Sequence, residues 1–121
     1  MSHTVKVMEV QNVELTIYKM LPPTLNIHAD GVVPTLGYKN GRLVPYVYVQ
    51  FPPDGIWDFD FVADAPDGPA GDVLCPISAD YIWHDYPKEL KGVRIHATSN
   101  SIEKKFGGHK EKTLELKTAK K

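Results

Sequence analysis

The 121-residue sequence predicts an all-β fold, a single antiparallel β-sandwich that is immunoglobulin-like in general architecture, with a small closed β-barrel as the alternative. Short segments in which apolar and polar residues alternate recur along the chain, and turn signals separate them about every 8–12 residues. No long stretch has the period of 3.6 residues that is typical of an amphipathic helix. The Cys and Trp framework of true immunoglobulin domains is absent, so the prediction concerns the architecture alone.

The N-terminal part of the chain alternates in two stretches. From Thr4 to Met20 the pattern predicts one long strand or two short strands, with a bulge or a break at Gln11-Asn12. Leu21-Pro22-Pro23 ends this stretch, because proline lacks the N–H that a strand ladder needs. Thr24 to Ala29 then predicts a strand with its aliphatic side chains inward and His28 outward.

A small hairpin is predicted next. Asn40-Gly41 supplies the two residues with positive φ that a type I′ turn requires. We therefore expect Leu36–Tyr38 to pair with Leu43–Pro45.

The stretch from Leu43 to Asp64 predicts a central hairpin, because both halves alternate and Pro52-Pro53-Asp54-Gly55 is a strong turn signal. A four-residue loop would place valines opposite aspartates, whereas a five-residue loop from Pro52 to Ile56 forms a continuous apolar face. That face pairs Phe51 with Trp57, Val49 with Phe59, and Val47 with Phe61. The opposite, polar face pairs Tyr46 with Val62, Tyr48 with Asp60, and Gln50 with Asp58.

The remaining segments predict shorter elements. Val73 to Ala79 is expected to be an edge or bulged strand, because Pro76 interrupts it. Lys88 to Lys91 predicts one helical turn, and Val93 to Ala97 predicts a strand. The segment 103–121 is lysine-rich and alternates only from Thr113 to Lys117, so we expect a last edge strand there, with frayed ends.

The length is that of about one domain, so residues 1–121 are expected to form a single unit. The single Cys75 excludes an internal disulfide framework and is interpreted as a small buried hydrophobe. There is no signal-peptide pattern, and no apolar stretch is long enough to span a bilayer. We therefore expect a cytoplasmic protein that does not enter a membrane, although a secreted form cut from a precursor would have the same sequence.

Charge is unevenly distributed along the chain. Residues 43–87 contain eight Asp and no Lys or Arg, whereas residues 88–121 contain ten Lys and Arg against four Glu. The acidic middle could attract cations or a basic partner, or the basic C-terminal third could fold back and neutralise it. We favour the second interpretation, and we do not expect nucleic acid as a partner, because the lysines alternate with glutamates.

Candidate catalytic and metal-binding residues are few. Asp58 and Asp60 project from one face of a strand and suit a pair of hydrolytic carboxylates or a calcium site, and solubilising surface aspartates are the simpler interpretation. If the protein is an enzyme, these two with His84 and Asp85 are the residues to test. His28 and His96 are candidate metal ligands if their strands are neighbours. No motif for a nucleophile or a phosphate loop is present, and no cofactor is expected.

Aromatic residues give the strongest indication of function. An aromatic face can bind a sugar, a peptide or another copy of the protein. The predicted ligand-binding residues are Tyr46, Tyr48, Gln50, Asp58, Asp60, Tyr81, Trp83 and Tyr86. We therefore expect a noncatalytic module that binds a ligand or a protein partner through this face or through its loops. A small enzyme and a structural subunit that assembles into homo-oligomers are the alternatives.

Overall fold

A computed structural model describes residues 3–68, 71–106 and 112–114. These residues form nine strands and no helix. The strands are β1 (His3–Lys6), β2 (Glu9–Tyr18), β3 (Thr24–Thr35), β4 (Lys39–Pro45), β5 (Ile56–Ala65), β6 (Asp72–His84), β7 (Gly92–His96), β8 (Ser101–Lys105) and β9 (Lys112–Leu114).

The strands form two packed sheets, which confirms the predicted all-β sandwich. One sheet has the order β1-β5-β7-β8, with β4 also paired to β5, and the other has the order β6-β3-β2-β9. Because β4 pairs along most of β5, β1 and β7 must lie end to end along the opposite edge of β5. The β5–β7 and β2–β9 pairs are parallel, and the other pairs are antiparallel.

The core lies between the sheets and follows the period-two pattern of the sequence. Most of the fully buried side chains come from inward positions of β2, β3, β5 and β7, and the largest of them are Phe59, Phe61, Leu15, Leu25, Ile27 and Ile95. Residues that alternate with these, including His28, Asp58 and Asp60, face outward as predicted. Burial of the apolar set is the main source of stability, at about 25 cal/mol per Å² of apolar surface.

The predicted irregularity at Gln11-Asn12 is confirmed. The register between β2 and β3 shifts between Val10 and Asn12, which is a β-bulge. Gly31 lies opposite this point, and a Cβ atom on it would come within 2.4 Å of the Glu9 carbonyl oxygen. Glycine is therefore required here for the close approach of two backbones.

The predicted hairpin at Asn40-Gly41 is wrong, because β4 runs through both residues. Asn40 does have a positive φ of 59°, but it belongs to a register shift between Lys39 and Arg42. The turn lies earlier, at Leu36-Gly37, where Gly37 has a φ of 95°. Gly41 instead allows β4 to approach β6, since a Cβ atom there would lie 2.6 Å from the Ser78 carbonyl oxygen.

The predicted central hairpin is wrong in its extent. β4 ends at Pro45, which pairs with Phe59, and Leu43 instead of Val47 lies opposite Phe61. The residues between β4 and β5 form a ten-residue loop, 46–55, which we call the tyrosine loop. The chain leaves the ladder at this point because Tyr46 and Tyr48 turn toward the outer face of β5, where their hydroxyl groups bind carboxylates.

The later elements agree in part with the sequence. β6 lies at the edge of its sheet and contains Pro76, as predicted for Val73 to Ala79, and it continues as far as His84. Lys88 to Lys91 forms a turn instead of a helical turn, with the Leu90 N–H donating to the Pro87 carbonyl at 3.1 Å. The strand at Val93 is confirmed as β7, while most of the lysine-rich segment 103–121 lies outside the described residues.

Among the residues that the structure describes, none belongs to a helix long and apolar enough to cross a membrane.

We predict that Gly31→Ala destabilises the protein by about 1–3 kcal/mol, because the added methyl group forces two backbones apart. Gly68→Ala is the control, since a Cβ atom there has no neighbour within 4 Å. Chemical denaturation of both variants measures the difference. Equal midpoints for the two variants would show that the bulge can absorb the methyl group.

Candidate functional site

The outer face of β5 carries the candidate site. Asp58 and Asp60 point outward from β5 because Phe59 and Phe61 alternate with them and fill the core. β7 runs parallel to β5 in a register that places Arg94 beside Asp58. Two acidic residues and the basic residues of β7 therefore share one surface.

Asp58 has the densest set of contacts on this surface. Its Oδ1 accepts hydrogen bonds from Arg94 Nη1 at 2.9 Å and from His96 Nε2 at 2.8 Å. Its Oδ2 accepts a hydrogen bond from the Tyr48 hydroxyl, which in turn accepts one from the Asp58 N–H at 3.2 Å. The carboxylate is therefore neutralised and held by three side chains, from β7 and from the tyrosine loop.

These contacts change the acidity of both partners. Burial opposes the charge of Asp58, but the hydrogen bonds from Tyr48, His96 and Arg94 outweigh it and lower the pKa of the carboxyl group. Burial and the hydrogen bond to Asp58 raise the pKa of Tyr48 to about 12. Asp58 is thus a carboxylate and Tyr48 a neutral phenol at physiological pH.

Tyr46 makes similar contacts with Asp60, which lies two residues after Asp58 on β5. Its hydroxyl donates to Asp60 Oδ1 at 3.1 Å, and Lys6 Nζ lies 3.7 Å from the same oxygen. Its ring stacks on His96, with the centroids 5.5 Å apart and 24° between the planes. Burial and the hydrogen bond to Asp60 raise the pKa of Tyr46. Both tyrosines of the loop are therefore fixed to the sheet.

Arg94 extends the network to two further segments. Its Nε and Nη2 donate to Glu103 Oε1 of β8 at 3.2 and 2.8 Å, and Nη2 lies 3.9 Å from Asp54 Oδ2 in the tyrosine loop. Arg94 belongs to the basic C-terminal third, so its pair with Asp58 agrees with the prediction that this third neutralises acidic residues of the middle. Sequence analysis did not name Arg94 or Glu103. Their outward positions follow from alternation with Val93 and Ile95, but their neighbours follow only from the strand order.

The tyrosine loop presents apolar side chains to solvent. Val47 and Val49 have relative exposures of 96% and 102%, although the sequence predicted both for the core face. Tyr46 and Tyr48 alternate with them and point to the sheet. The loop backbone is held at its start, where the Tyr46 N–H donates to the Asp58 carbonyl at 2.9 Å and Trp57 Nε1 donates to the Tyr46 carbonyl at 3.0 Å.

A cavity of about 370 Å³ lies at the base of this loop. Its lining consists of Phe51, Pro52, Pro53, Gly55, Glu89 and Lys91. Gly55 has a φ of 77°, and the methylene groups of Lys91 pack against it. The cavity therefore has an apolar floor with one acidic and one basic side chain beside it.

The other predicted ligand-binding residues lie elsewhere. Tyr81 and Trp83 point inward from β6 and pack against the core, where Trp83 contacts Trp57 at a centroid distance of 5.5 Å. Tyr86 follows β6 and packs on Phe106 at 5.9 Å. Gln50 is exposed in the tyrosine loop. The structure therefore brings together Tyr46, Tyr48, Asp58 and Asp60 on the outer face, whereas the aromatic residues of β6 face the core, with Trp57 between Trp83 and Tyr48.

The two candidate metal-ligand histidines do not meet, because His28 belongs to β3 and His96 to β7, in different sheets. His28 Nδ1 lies 2.9 Å from Asp80 Oδ1, and His28 Nε2 lies 3.0 Å from Asp30 Oδ1. Burial opposes the charge of His28, but the hydrogen bond to Asp80 and the charges of both aspartates outweigh it and raise its pKa. Among the described residues, no group of three or more His, Cys, Asp or Glu is arranged to hold a metal ion.

The four residues named for catalysis are divided between the sheets. Asp58 and Asp60 lie on β5, whereas His84 ends β6 and Asp85 follows it. His84 Nδ1 lies 3.2 Å from the Thr24 hydroxyl, and the Asp85 N–H donates to the Pro23 carbonyl at 2.8 Å.

The fold and the site define the protein as an all-β sandwich with a hydrogen-bonded carboxylate cluster on one outer face. No family model, no curated protein and no solved structure matches the chain.

We predict that Asp58→Asn destabilises the protein at neutral pH, and that the difference from the wild type narrows as the pH falls. The folded protein lowers the pKa of Asp58, so its contribution is present above the ordinary carboxyl range of about 4 and is lost as the pH falls through the folded-state pKa. Urea denaturation at a series of pH values measures the difference. The control is Asp72→Asn, at the exposed start of β6. A difference that does not vary with pH would contradict the prediction.

His28 should give the opposite dependence. Because its pKa is raised above 6.5 in the folded protein, the protonated ring stabilises the fold below that pH, and the contribution is lost as the pH rises through the raised value. We predict that His28→Gln destabilises the protein most at mildly acid pH and little at alkaline pH. Thermal unfolding against pH measures this, with His3→Gln in exposed β1 as the control. A larger effect at alkaline pH would refute the assignment.

Proposed function

We propose that the protein is a noncatalytic binding module and that the tyrosine loop, with the cavity at its base, binds a protein partner. The immunoglobulin-like general architecture is part of this proposal, because modules of that kind present loops from the ends of two sheets. A cytoplasmic location is part of it as well, and the free thiol of Cys75 is compatible with a reducing compartment.

One observation carries the proposal: Val47 and Val49 are fully exposed on a loop whose alternate residues are fixed to the sheet. Single exposed apolar residues are common on protein surfaces and need no explanation. Val47 and Val49 are two residues apart on one tethered loop, so a single partner can cover both. Burying a valine completely is worth about 1.5–3 kcal/mol, so a partner that covers both gains substantial binding energy.

The tethering also lowers the cost of binding. Ordering a flexible loop at an interface costs free energy, which weakens the complex. Here the hydroxyl groups of Tyr46 and Tyr48 already bind Asp60 and Asp58, and the Tyr46 backbone is bonded at both its N–H and its carbonyl. The loop is therefore preorganised before a partner arrives.

The backbone of the loop leaves hydrogen-bonding groups for a partner. In the described part of the chain, residues 47–50 make no backbone hydrogen bond. A partner segment in an extended conformation could satisfy these groups as well as cover the valines. This favours a protein over a small molecule as the ligand.

The cavity supports the same interpretation. Its volume of about 370 Å³ and its lining by Phe51 and two prolines are suited to an apolar side chain. Interfaces commonly depend on one such anchor in a pocket, surrounded by residues that exclude water. The valines and the cavity belong to the same loop, so one partner could reach both.

The contacts of Asp58 support a structural role for this residue. A catalytic carboxylate must reach a substrate, whereas the Asp58 side chain has a relative exposure of 16% and both its oxygens accept hydrogen bonds from the protein. The small enzyme stays the alternative function, and its four candidate residues are divided between two sheets.

The test compares the proteins retained by the purified module from an extract of the cells that produce it. We predict that Val47→Ser/Val49→Ser reduces retention of the partner at least about tenfold, because two apolar contacts are lost. Leu21→Ser is the matched control, since Leu21 has a relative exposure of 97% on a different loop.

Quantitative mass spectrometry of the retained proteins gives the readout, and denaturation midpoints show that the variants are folded. A partner retained by the wild type and by Leu21→Ser but lost by the double variant supports the proposal. If the double variant retains the same proteins in the same amounts as the wild type, the loop is not the binding site.

A further inference from the structure

The edge strand β6 carries a second interaction surface, separate from the tyrosine loop. β6 is the edge of the sheet β6-β3-β2-β9, and β3 is its ladder partner in the described residues. Edge strands expose unpaired backbone groups that can pair with another chain. Their pairing is commonly blocked by proline, lysine or a covering segment.

Two observations show which residues of β6 turn their backbone groups away from β3. The Ser78 carbonyl oxygen lies against Gly41 of β4, outside the sheet. Pro76, two residues earlier, has no N–H and is compatible with an outward position. Because the direction alternates along an antiparallel strand, the groups of Asp80, Ile82 and His84 also point outward.

The two ends of β6 are protected differently. Pro76 and the close approach of Gly41 to Ser78 guard the first part of the edge. The segment from Asp80 to His84 contains neither proline nor lysine. In the described residues, no backbone hydrogen bond occupies the outward groups of this segment, and the Ile82 side chain has a relative exposure of 50%.

The sequence of this open segment is complementary to itself. If two copies pair in antiparallel fashion about Ile82, the two Ile82 side chains face each other, and Asp80 of each copy lies opposite His84 of the other. His84 uses Nδ1 toward Thr24, which leaves Nε2 for the carboxylate of the second copy. The Asp80 side chain has a relative exposure of 54% and can accept such a bond.

On the inward side, the same register places Tyr81 of one copy opposite Trp83 of the other. Two Asp80–His84 hydrogen-bonding pairs and a central apolar pair make a symmetric, isologous contact. A register shifted by one residue toward either end loses this arrangement.

We propose that the protein forms a homodimer in which two β6 strands pair about Ile82, joining four strands from each copy into one continuous sheet.

The dimer is tested by light scattering after size-exclusion chromatography, over a range of protein concentrations. The chain has a mass of 13.6 kDa, and the wild type should give twice this mass at high concentration. Ile82→Pro removes an outward N–H that makes no bond to β3, so it should give a folded monomer. Ile82→Thr keeps that N–H and is its control.

A charge exchange tests the register and does not depend on a proline being tolerated. Asp80→Lys removes the carboxylate that accepts from His84 of the second copy and places a lysine opposite each imidazole ring, so it should raise the dissociation constant about tenfold or more. His84→Glu should do the same. The double variant Asp80→Lys/His84→Glu restores opposite charges and should dimerise more tightly than either single variant.

Three results would overturn the proposal. The first is a wild type that stays monomeric at the highest concentration reached. The second is a dimer unaffected by Ile82→Pro or by the single charge variants. The third is a dimer abolished by Val47→Ser/Val49→Ser, which would assign self-association to the tyrosine loop instead of to β6.

Discussion

The carboxylate of Asp58 is the interaction on which the outer surface of this protein depends. It joins β5, on which it lies, to β7 through Arg94 and His96, and to the tyrosine loop through Tyr48. Arg94 continues the connection to β8 through Glu103. Because a half-buried carboxylate loses hydration, it needs several donors, and these donors come from segments that are distant in sequence. One side chain therefore fixes the relative positions of two strands and a loop.

The strand β6 has two roles that follow from its place in the fold. The chain passes through β6, in the opposite sheet, between β5 and β7, and this passage allows β5 and β7 to pair in parallel. Parallel neighbours require such a long connection, since a tight turn can join only antiparallel strands. The same passage leaves β6 at an edge. The parallel pairing that brings Arg94 to Asp58 and the exposed edge are consequences of one connection.

Local alternation was sufficient to predict much of the fold. Ile27, Phe59 and Ile95 were assigned to the core from period two, and the outward positions of His28 and Asp58 follow from the same pattern. Asn40-Gly41 and the valines of the tyrosine loop were misassigned. In both cases a tertiary contact decided the outcome: Gly41 must fit against Ser78, and the tyrosine hydroxyl groups bind Asp58 and Asp60.

The candidate site could be predicted only in part for a similar reason. Tyr46, Tyr48 and both aspartates were expected on one polar face, and the structure places them there through hydrogen bonds instead of through a strand ladder. Arg94 alternates with the apolar residues of a predicted strand and so is expected to face outward, but nothing local indicates that β7 lies beside β5. Partners in a sheet depend on the order of strands, and this order is set by packing over the whole chain.

The aromatic contacts beneath the tyrosine loop allow the intrinsic spectra of the protein to report on this loop. Trp57 touches Tyr48, Phe51 and Trp83, with ring centroids 4.7, 5.5 and 5.5 Å apart. Trp57 and Trp83 are the two tryptophans of the sequence. Their emission and near-ultraviolet circular dichroism thus originate from one cluster in contact with the loop, so a spectral change reports directly on that end of the molecule, without a label.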